Sequence, residues 1–170
     1  MTARQAKITD APAIYCLIAH YAALGLLLPR AEDEIRLNIS HFLVLKLNGR
    51  VVSCVALENY GPDLAEIRSL AVDPEIRGRG MGARLLEFAL LEARRREIAR
   101  VFAVTHAPEF FLRQGFAAAD RRALTEKIER DCRACPKRRS CKLVAVVATV
   151  IPERLTLRIL GESASPVSVA

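Results

Sequence analysis

Leu70-Ala71-Val72-Asp73-Pro74-Glu75-Ile76-Arg77-Gly78-Arg79-Gly80-Met81-Gly82 passes from an aliphatic run through a proline stop into three glycines within five residues. The next segment, Gly82 to Arg96, reads as an amphipathic helix. Leu85, Leu86, Ala89, Leu90 and Ala93 make its buried stripe, and Arg84, Glu87, Glu92 and Arg95 face outward. Glycines between a strand and a helix let the backbone come close to an anion with its N–H groups turned inward. The helix N-terminus behind them adds dipole and unpaired donors. Arg77 and Arg79 are placed to neutralise phosphates from the flanks. No Lys-Ser/Thr pair comes after the glycines, so this is not a Walker loop. The reading is a diphosphate cradle, with tight backbone packing as the alternative use of the same glycines.

Upstream, Phe42 to Leu47 and Arg50 to Leu57 are β-branched apolar runs separated by Asn48-Gly49, the strongest short signal for a hairpin with a type I′ turn. Gly61-Pro62-Asp63 marks a turn, and Glu66 to Val72 then forms the third strand of an antiparallel meander. The cradle therefore comes after a meander, not within the parallel unit of a dinucleotide fold. Downstream, Val101 to Thr105 is reached through a crossover helix and should lie parallel to the third strand. Pro108 to Gln114 is a short helix stopped by Gly115, and Lys142 to Val150 is a late apolar strand. At the N-terminal end, Ala11 to Leu28 is nearly all apolar and imitates a signal peptide or anchor. Asp10 at its start, His20 and two tyrosines within it, and the helical spacing of Ile14, Leu17, Ile18, Tyr21 and Leu24 predict an ordinary helix capped by Thr9 or Asp10. Glu32 to Ile39 reads as a second short helix. The fold class is α/β (α+β).

A chain of 170 residues that is 52% hydrophobic supports one core, and residues 1–160 read as one domain with a flexible tail over 161–170. The net charge of +7 suits a polyanionic ligand or simply a solvated basic surface. With no aromatic stacking platform or recognition motif it does not indicate a nucleic-acid binder. The odd count of five cysteines gives no disulfide framework. Cys16 and Cys54 read as inert thiols. Cys132, Cys135 and Cys141 have spacing compatible with zinc, but no fourth ligand is local; a redox pair or a structural role is equally open, and no metal is assigned.

These motifs together resemble the GNAT superfamily of N-acetyltransferases. Arg77-Gly78-Arg79-Gly80-Met81-Gly82 matches its Gln/Arg-x-x-Gly-x-Gly/Ala pattern, and Phe110-Phe111-Leu112-Arg113-Gln114-Gly115-Phe116 is similar to its next block. The resemblance implies a mixed, mostly antiparallel sheet flanked by helices, with central parallel strands that splay apart to admit acetyl-CoA. It further implies cofactor contacts from Leu70, Ala71, Val72, residues 77–82 and Phe111. Leu70 and Val72 would pair with the pantetheine, and an N–H near Leu70 or Ala71 would polarise the carbonyl. Glu66, on the strand before the cradle, is the expected general base; an ordinary ion pair with Arg68 or Arg50 is its alternative. Where many members carry a tyrosine that protonates the leaving thiolate, this chain has Phe110-Phe111, which leaves water or Tyr60.

Leu24 to Arg30, Ala65 to Val72, Leu124 to Ile128 and Asp131 to Pro136 resemble the short single-domain bacterial N-acetylglutamate synthases. That implies transfer of acetyl to the α-amino group of L-glutamate, the first step of arginine biosynthesis, in the cytoplasm. Arg30, Arg68 and Lys127 would bind the two carboxylates of the acceptor. Thr125 stands where that group has proline, and Lys142-Leu143 where it has an acidic pair, and both bear on acceptor choice. Another amino acid, a small amine or a protein N-terminus is the alternative acceptor; a regulator that binds acetyl-CoA without catalysis is a third reading. A small-molecule substrate is expected, without nucleic acid or membrane partners, and a homodimer is left open.

Overall fold

The computed structural model describes residues 1–135 and 138–151. In chain order it contains β1 (Thr2–Gln5), α1 (Ala11–Ala23), α2 (Glu32–Leu37), β2 (Phe42–Leu47) and β3 (Arg50–Asn59). Next come β4 (Leu64–Val72), α3 (Met81–Arg95), β5 (Arg100–Thr105), α4 (Pro108–Leu112), β6 (Ala117–Ala119), α5 (Thr125–Lys127) and β7 (Val144–Thr149). The strands form a single sheet in the order β1-β2-β3-β4-β5-β7-β6. The β2–β3 hairpin turns at Asn48 and Gly49, whose φ angles of 50° and 81° are those a type I′ turn demands.

β4 and β5 run parallel, as the crossover through α3 requires, and every other neighbouring pair among the described residues is antiparallel. The parallel ladder is short: Leu64, Ala65 and Glu66 pair with Arg100, Val101 and Phe102, and the pairing stops there. β4 runs on to Val72 and β5 to Thr105, so the two strands diverge toward the N-terminus of α3. The sequence predicts the mixed sheet, and the divergence of its parallel strands is what the resemblance implies.

One sheet face packs on α3. Leu85, Leu86, Ala89 and Ala93 meet Leu43, Leu57, Ala65, Ile67 and Val101 there, and each fully buried leucine contributes about 1.5–3 kcal/mol of apolar burial. The other face carries two separate apolar clusters. Ile14, Ile18, Tyr21 and Ile35 cover Phe42, Val44, Cys54, Ala56 and Ala71; further along, Leu64, Phe102, Leu124 and Ala145 form the second.

Three features depart from the sequence reading. β1 and β6 form both edges of the sheet although neither has a run of strand-forming residues; their pairing to β2 and β7 supplies the order. The first helix ends at Ala23, not Leu28, and Leu24, expected on its buried face, is exposed. Gly25 at φ 72° turns the chain out of the helix at that point. Asp10 precedes α1 but makes no capping bond to it. Its carboxylate is held instead by Arg4 at 2.7 and 3.0 Å and by the Lys7 N–H at 2.8 Å. No helix among the described residues is long and apolar enough to cross a membrane. The expected tail over 161–170, and the end of the expected domain beyond 151, lie outside the described residues.

Candidate active site

β4 builds the site, and a single irregularity decides which side chains point where. Ser69 has φ 51°, and the register of β4 against β3 slips between Ala71 opposite Cys54 and Arg68 opposite Ala56. A bulge of this kind adds a residue and reverses the facing of the rest of the strand. Ala65 and Ile67 accordingly pack toward α3, whereas Ala71 packs toward α1. Strict alternation would put Glu66, Arg68, Leu70 and Val72 on one face. With the bulge, Leu70 joins the α3 side, and Val72 Cγ2 lies 3.4 Å from where a Cβ at Gly82 would sit. The carbonyls around the bulge are satisfied locally: Ser53 Oγ donates to Ala71 O at 2.8 Å, and Tyr21 Oη donates to Val72 O at 2.5 Å.

The cradle lies beyond the end of β4. Asp73 caps a short 3₁₀ turn over Pro74–Ile76 by accepting from the Glu75 N–H. Gly78 and Gly80 then adopt φ 79° and 76°, a region that costs an L side chain roughly 1–2 kcal/mol. Nothing lies within 4 Å of where their Cβ atoms would be, so it is conformation and not packing that requires glycine. The packing alternative holds only for Gly82, where a Cβ would sit 3.4 Å from Val72 Cγ2 and 3.6 Å from Phe110 Cζ. Gly80 precedes α3 directly, and Arg77 and Arg79 stand at the flanks. An open glycine turn, helix N-terminal N–H groups and a stretch of β4 that has left β5 fit a ligand with a diphosphate and an extended polar arm. Phe111, expected at the cofactor, is buried between Phe110 and Phe116; the ring that borders the cradle is Phe110.

Between the two apolar clusters of the opposite face runs a band of charge. Glu66 is only 3% exposed. Its Oε2 accepts from Lys127 Nζ at 2.8 Å and from Tyr60 Oη at 2.9 Å, with Arg68 Nε at 3.5 Å. Lys127 Nζ also reaches Asp131 Oδ2 at 2.6 Å, and Tyr60 Oη lies against the same oxygen, so that its single proton is shared between Glu66 and Asp131. Lys127 and Asp131 come from α5 and the π-helical turn Ile128–Cys132 that continues it. Burial pushes the Tyr60 hydroxyl pKa up, and the neighbouring Glu66 charge pushes it further, so the phenol stays protonated. Burial works to raise the Asp131 pKa, but the hydrogen bonds from Lys127 and Tyr60 outweigh it and hold the carboxyl below its usual range.

Beside this band, Leu28, Pro29, Arg30, Glu34, Glu58, Arg68 and Arg130 line a cavity of about 230 Å³. Arg30 is held by Ser69 Oγ at 3.1 Å and Glu34 at 2.5 Å. Arg30 and Arg68, expected to bind acceptor carboxylates, do share one cavity. Lys127 does not line it; its ammonium is engaged by Glu66 and Asp131. Arg50, an alternative partner for Glu66, pairs instead with Asp73 at 2.7 Å. Glu58, Arg130 and Asp131 carry no mark in the sequence that sets them apart as site residues. The i,i+4 spacing of Lys127 and Asp131 is the available signal for one of them.

Cys141 Sγ accepts from Arg121 at 2.8 Å. Cys132, Cys135 and Cys141 are all free thiols, and among the described residues no group of three or more His, Cys, Asp or Glu side chains is arranged to hold a metal.

Comparison with known proteins gives this geometry a context. Residues 38–118 match the acetyltransferase (GNAT) domain. An uncharacterized N-acetyltransferase of Chlorobaculum tepidum is 38% identical over 147 residues, which is 86% of this chain and 95% of that protein. The amino-acid acetyltransferase of Mycobacterium tuberculosis is 36% identical over 128 residues, covering 74% of this chain and 73% of that one. Among solved structures, N-acetylglutamate synthase from Neisseria gonorrhoeae, complexed with coenzyme A and N-acetyl-glutamate, superposes with a TM-score of 0.80 at 32% identity. That match covers 88% of this chain but only 35% of the synthase, so the chain spans about a third of that protein's length.

Proposed function

The chain belongs to the GNAT acetyltransferase family, and within that family we propose that it transfers the acetyl group of acetyl-CoA to the α-amino group of L-glutamate. It is an acetyl-CoA-dependent N-acetyltransferase. The acceptor assignment rests on one observation above all, the cavity in which Arg30, Arg68 and Arg130 converge beside Glu66. Guanidinium groups bind carboxylates through paired N–H donors, and glutamate offers two carboxylates to a pocket with three such groups. The naming of the Mycobacterium tuberculosis relative as an amino-acid acetyltransferase, and N-acetyl-glutamate in the Neisseria structure, support the same reading.

The reaction needs a neutral amine, because an ammonium has no lone pair. Glu66 accepts that proton, directly or through water. The amine nitrogen then forms a bond to the thioester carbonyl carbon, and the C–S bond breaks. Negative charge gathers on the carbonyl oxygen on the way. The bulge at Ser69 breaks the β3 ladder beside Leu70 and Ala71, and an N–H released there is the donor that polarises the oxygen. Residues 77–82 hold the diphosphate, and the unpaired edge of β4 at Leu70 and Val72 takes the pantetheine arm. α4 offers no tyrosine to the departing sulfur. A thiol with a pKa of about 8.5 leaves tolerably as thiolate and takes its proton from water.

Release of free thiol from acetyl-CoA with a panel of amino acids, small amines and peptide N-termini tests the proposal. Turnover on glutamate above every other acceptor is expected. Turnover on a different amine with none on glutamate would refute the acceptor, and no turnover on any amine would favour a regulatory acetyl-CoA-binding protein.

A further inference from the structure

Glu58 has no part in the chemistry above, yet it is a buried carboxylate in the wall of the acceptor cavity. It is 9% exposed and lies directly opposite Glu66 across the β3–β4 ladder, where like charges on one face repel. Both of its oxygens are claimed. Oε2 lies 2.9 Å from His41 Nδ1, and Oε1 accepts from Arg130 Nη2. Burial works to raise the Glu58 pKa, but the bonds from Arg130 and His41 outweigh it and keep the carboxyl ionised at neutral pH.

Arg130 presents the opposite situation. It sits on the five-residue π-helical turn, with its side chain 46% exposed, where a free arginine would sample many rotamers. Strand β3 fixes it instead. Besides the Glu58 bond, Nη1 donates to the Asn59 carbonyl at 2.7 Å, and the guanidinium lies over the Tyr60 ring at 4.5 Å. Two of its five N–H donors are thereby used and three remain for a ligand. Arg68 stands in the same cavity, turned toward Tyr60 Oη at 3.4 Å and Asp131 at 3.5 Å. The two guanidinium groups are thus both anchored before any acceptor arrives, and their separation is set by the protein.

We propose that Glu58 is a positioning residue for acceptor choice: by clamping Arg130 it sets the spacing between the Arg130 and Arg68 guanidinium groups, and so selects an amino acid with a side-chain carboxylate over one with an amide. This rests on the amino-acid reading of the acceptor given above. Glu58 acts through Arg130 and makes no contact with the reacting atoms.

Steady-state kinetics of the full chain with acetyl-CoA and either L-glutamate or L-glutamine tests it, using Glu58→Gln, Arg130→Gln and the double variant. A hydrogen bond to a charged group is worth a factor of roughly ten or more in binding. Glu58→Gln is therefore expected to raise the KM for glutamate about tenfold, to leave the KM for acetyl-CoA alone, and to narrow the preference for glutamate over glutamine by a similar factor. The double variant should be no worse than Arg130→Gln, since Glu58 has nothing left to position. An unchanged glutamate KM and preference in Glu58→Gln would overturn the proposal, as would losses that multiply in the double variant. If Glu58→Gln does not fold, Arg130→Lys at the exposed turn carries the test. An ammonium cannot bridge Glu58 and the Asn59 carbonyl in the same plane, and an undiminished preference for glutamate in that variant is equally fatal. Absence of wild-type turnover on glutamate is a distinct result that refutes the acceptor assignment and, with it, the selection proposed here.

Discussion

Replacing Lys127 by methionine keeps the length of the side chain and removes one charge from the centre of the buried band. In the wild-type protein the Lys127 ammonium lies 2.8 Å from Glu66 and 2.6 Å from Asp131, with side-chain exposures of 10%, 4% and 25% for the three residues. Without it, two carboxylates face each other across Tyr60, whose single hydroxyl proton can serve only one at a time. Breaking a buried pair in this way costs about 3–5 kcal/mol, most of it the penalty of the uncompensated charge. For a chain of this size one kcal/mol moves Tm by roughly 2–4 °C, so the expected drop at pH 7 is roughly 6–20 °C by calorimetry. The pH dependence has a definite sign. Asp131 has a depressed pKa in the folded protein, so its contribution is present above the unfolded value of about 3.9 and is lost as pH falls through the folded one. The variant lacks that contribution, and the gap between the two proteins should narrow as pH is lowered below about 4. A Tm at pH 7 equal to that of wild type, with only the KM for glutamate raised, would refute this account and return Lys127 to direct acceptor binding.

Glu66→Gln should lower the acetylation rate and move the pH optimum upward, because the amine must then arrive already neutral, while acetyl-CoA affinity measured by titration calorimetry stays the same. An unaltered pH–rate profile removes Glu66 from the proton transfer. Gly80→Ala places an L side chain at φ 76°, a strain of about 1–2 kcal/mol. The expected result is a raised KM for acetyl-CoA, with glutamate KM little affected. The Cys54 thiol, buried with its pKa pushed up to about 12, should resist iodoacetamide at pH 8 in the folded protein while the exposed Cys16 reacts. Peptide mass mapping showing alkylated Cys54 before unfolding would contradict its burial.

The hairpin at Asn48-Gly49, the buried stripe of α3 and the cradle are legible because each is a local pattern whose chemistry leaves few alternatives. The parallel placement of β5 comes from the crossover alone. The edge strands escape a reading of the sequence because Thr2–Gln5 and the three alanines of β6 owe their extended form to their neighbours, not to their own propensities. Leu24 is misplaced by such a reading because helical periodicity says nothing of where a helix stops. The bulge at Ser69 has no signature, since serine is not a residue that positive φ demands. It alone separates Glu66 and Arg68 from Leu70 and Val72. The charged band joins Glu58, Tyr60, Glu66, Lys127, Arg130 and Asp131 from two distant parts of the chain, and only the packing of α5 and its π-helical turn against β4 brings them together.

The brief contact between β4 and β5 bears on how the molecule holds together. Three residue pairs join a four-stranded half-sheet, β1 to β4, to a three-stranded one made of β5, β7 and β6. Backbone hydrogen bonds are the stiffest links across such a seam, and here they run out a third of the way along β4 and halfway along β5. A bound acyl carrier lying in the opening would act as a stitch, giving the free edge of β4 a bonding partner that the polypeptide does not provide. The seam should therefore open before either half-sheet melts, and amide exchange at the β4 N–H groups that face the opening, away from β3, should be slowed by coenzyme A. At a hundredfold excess over its dissociation constant such a ligand adds about 2.7 kcal/mol to global stability, so the co-substrate also serves as a missing structural element of the fold.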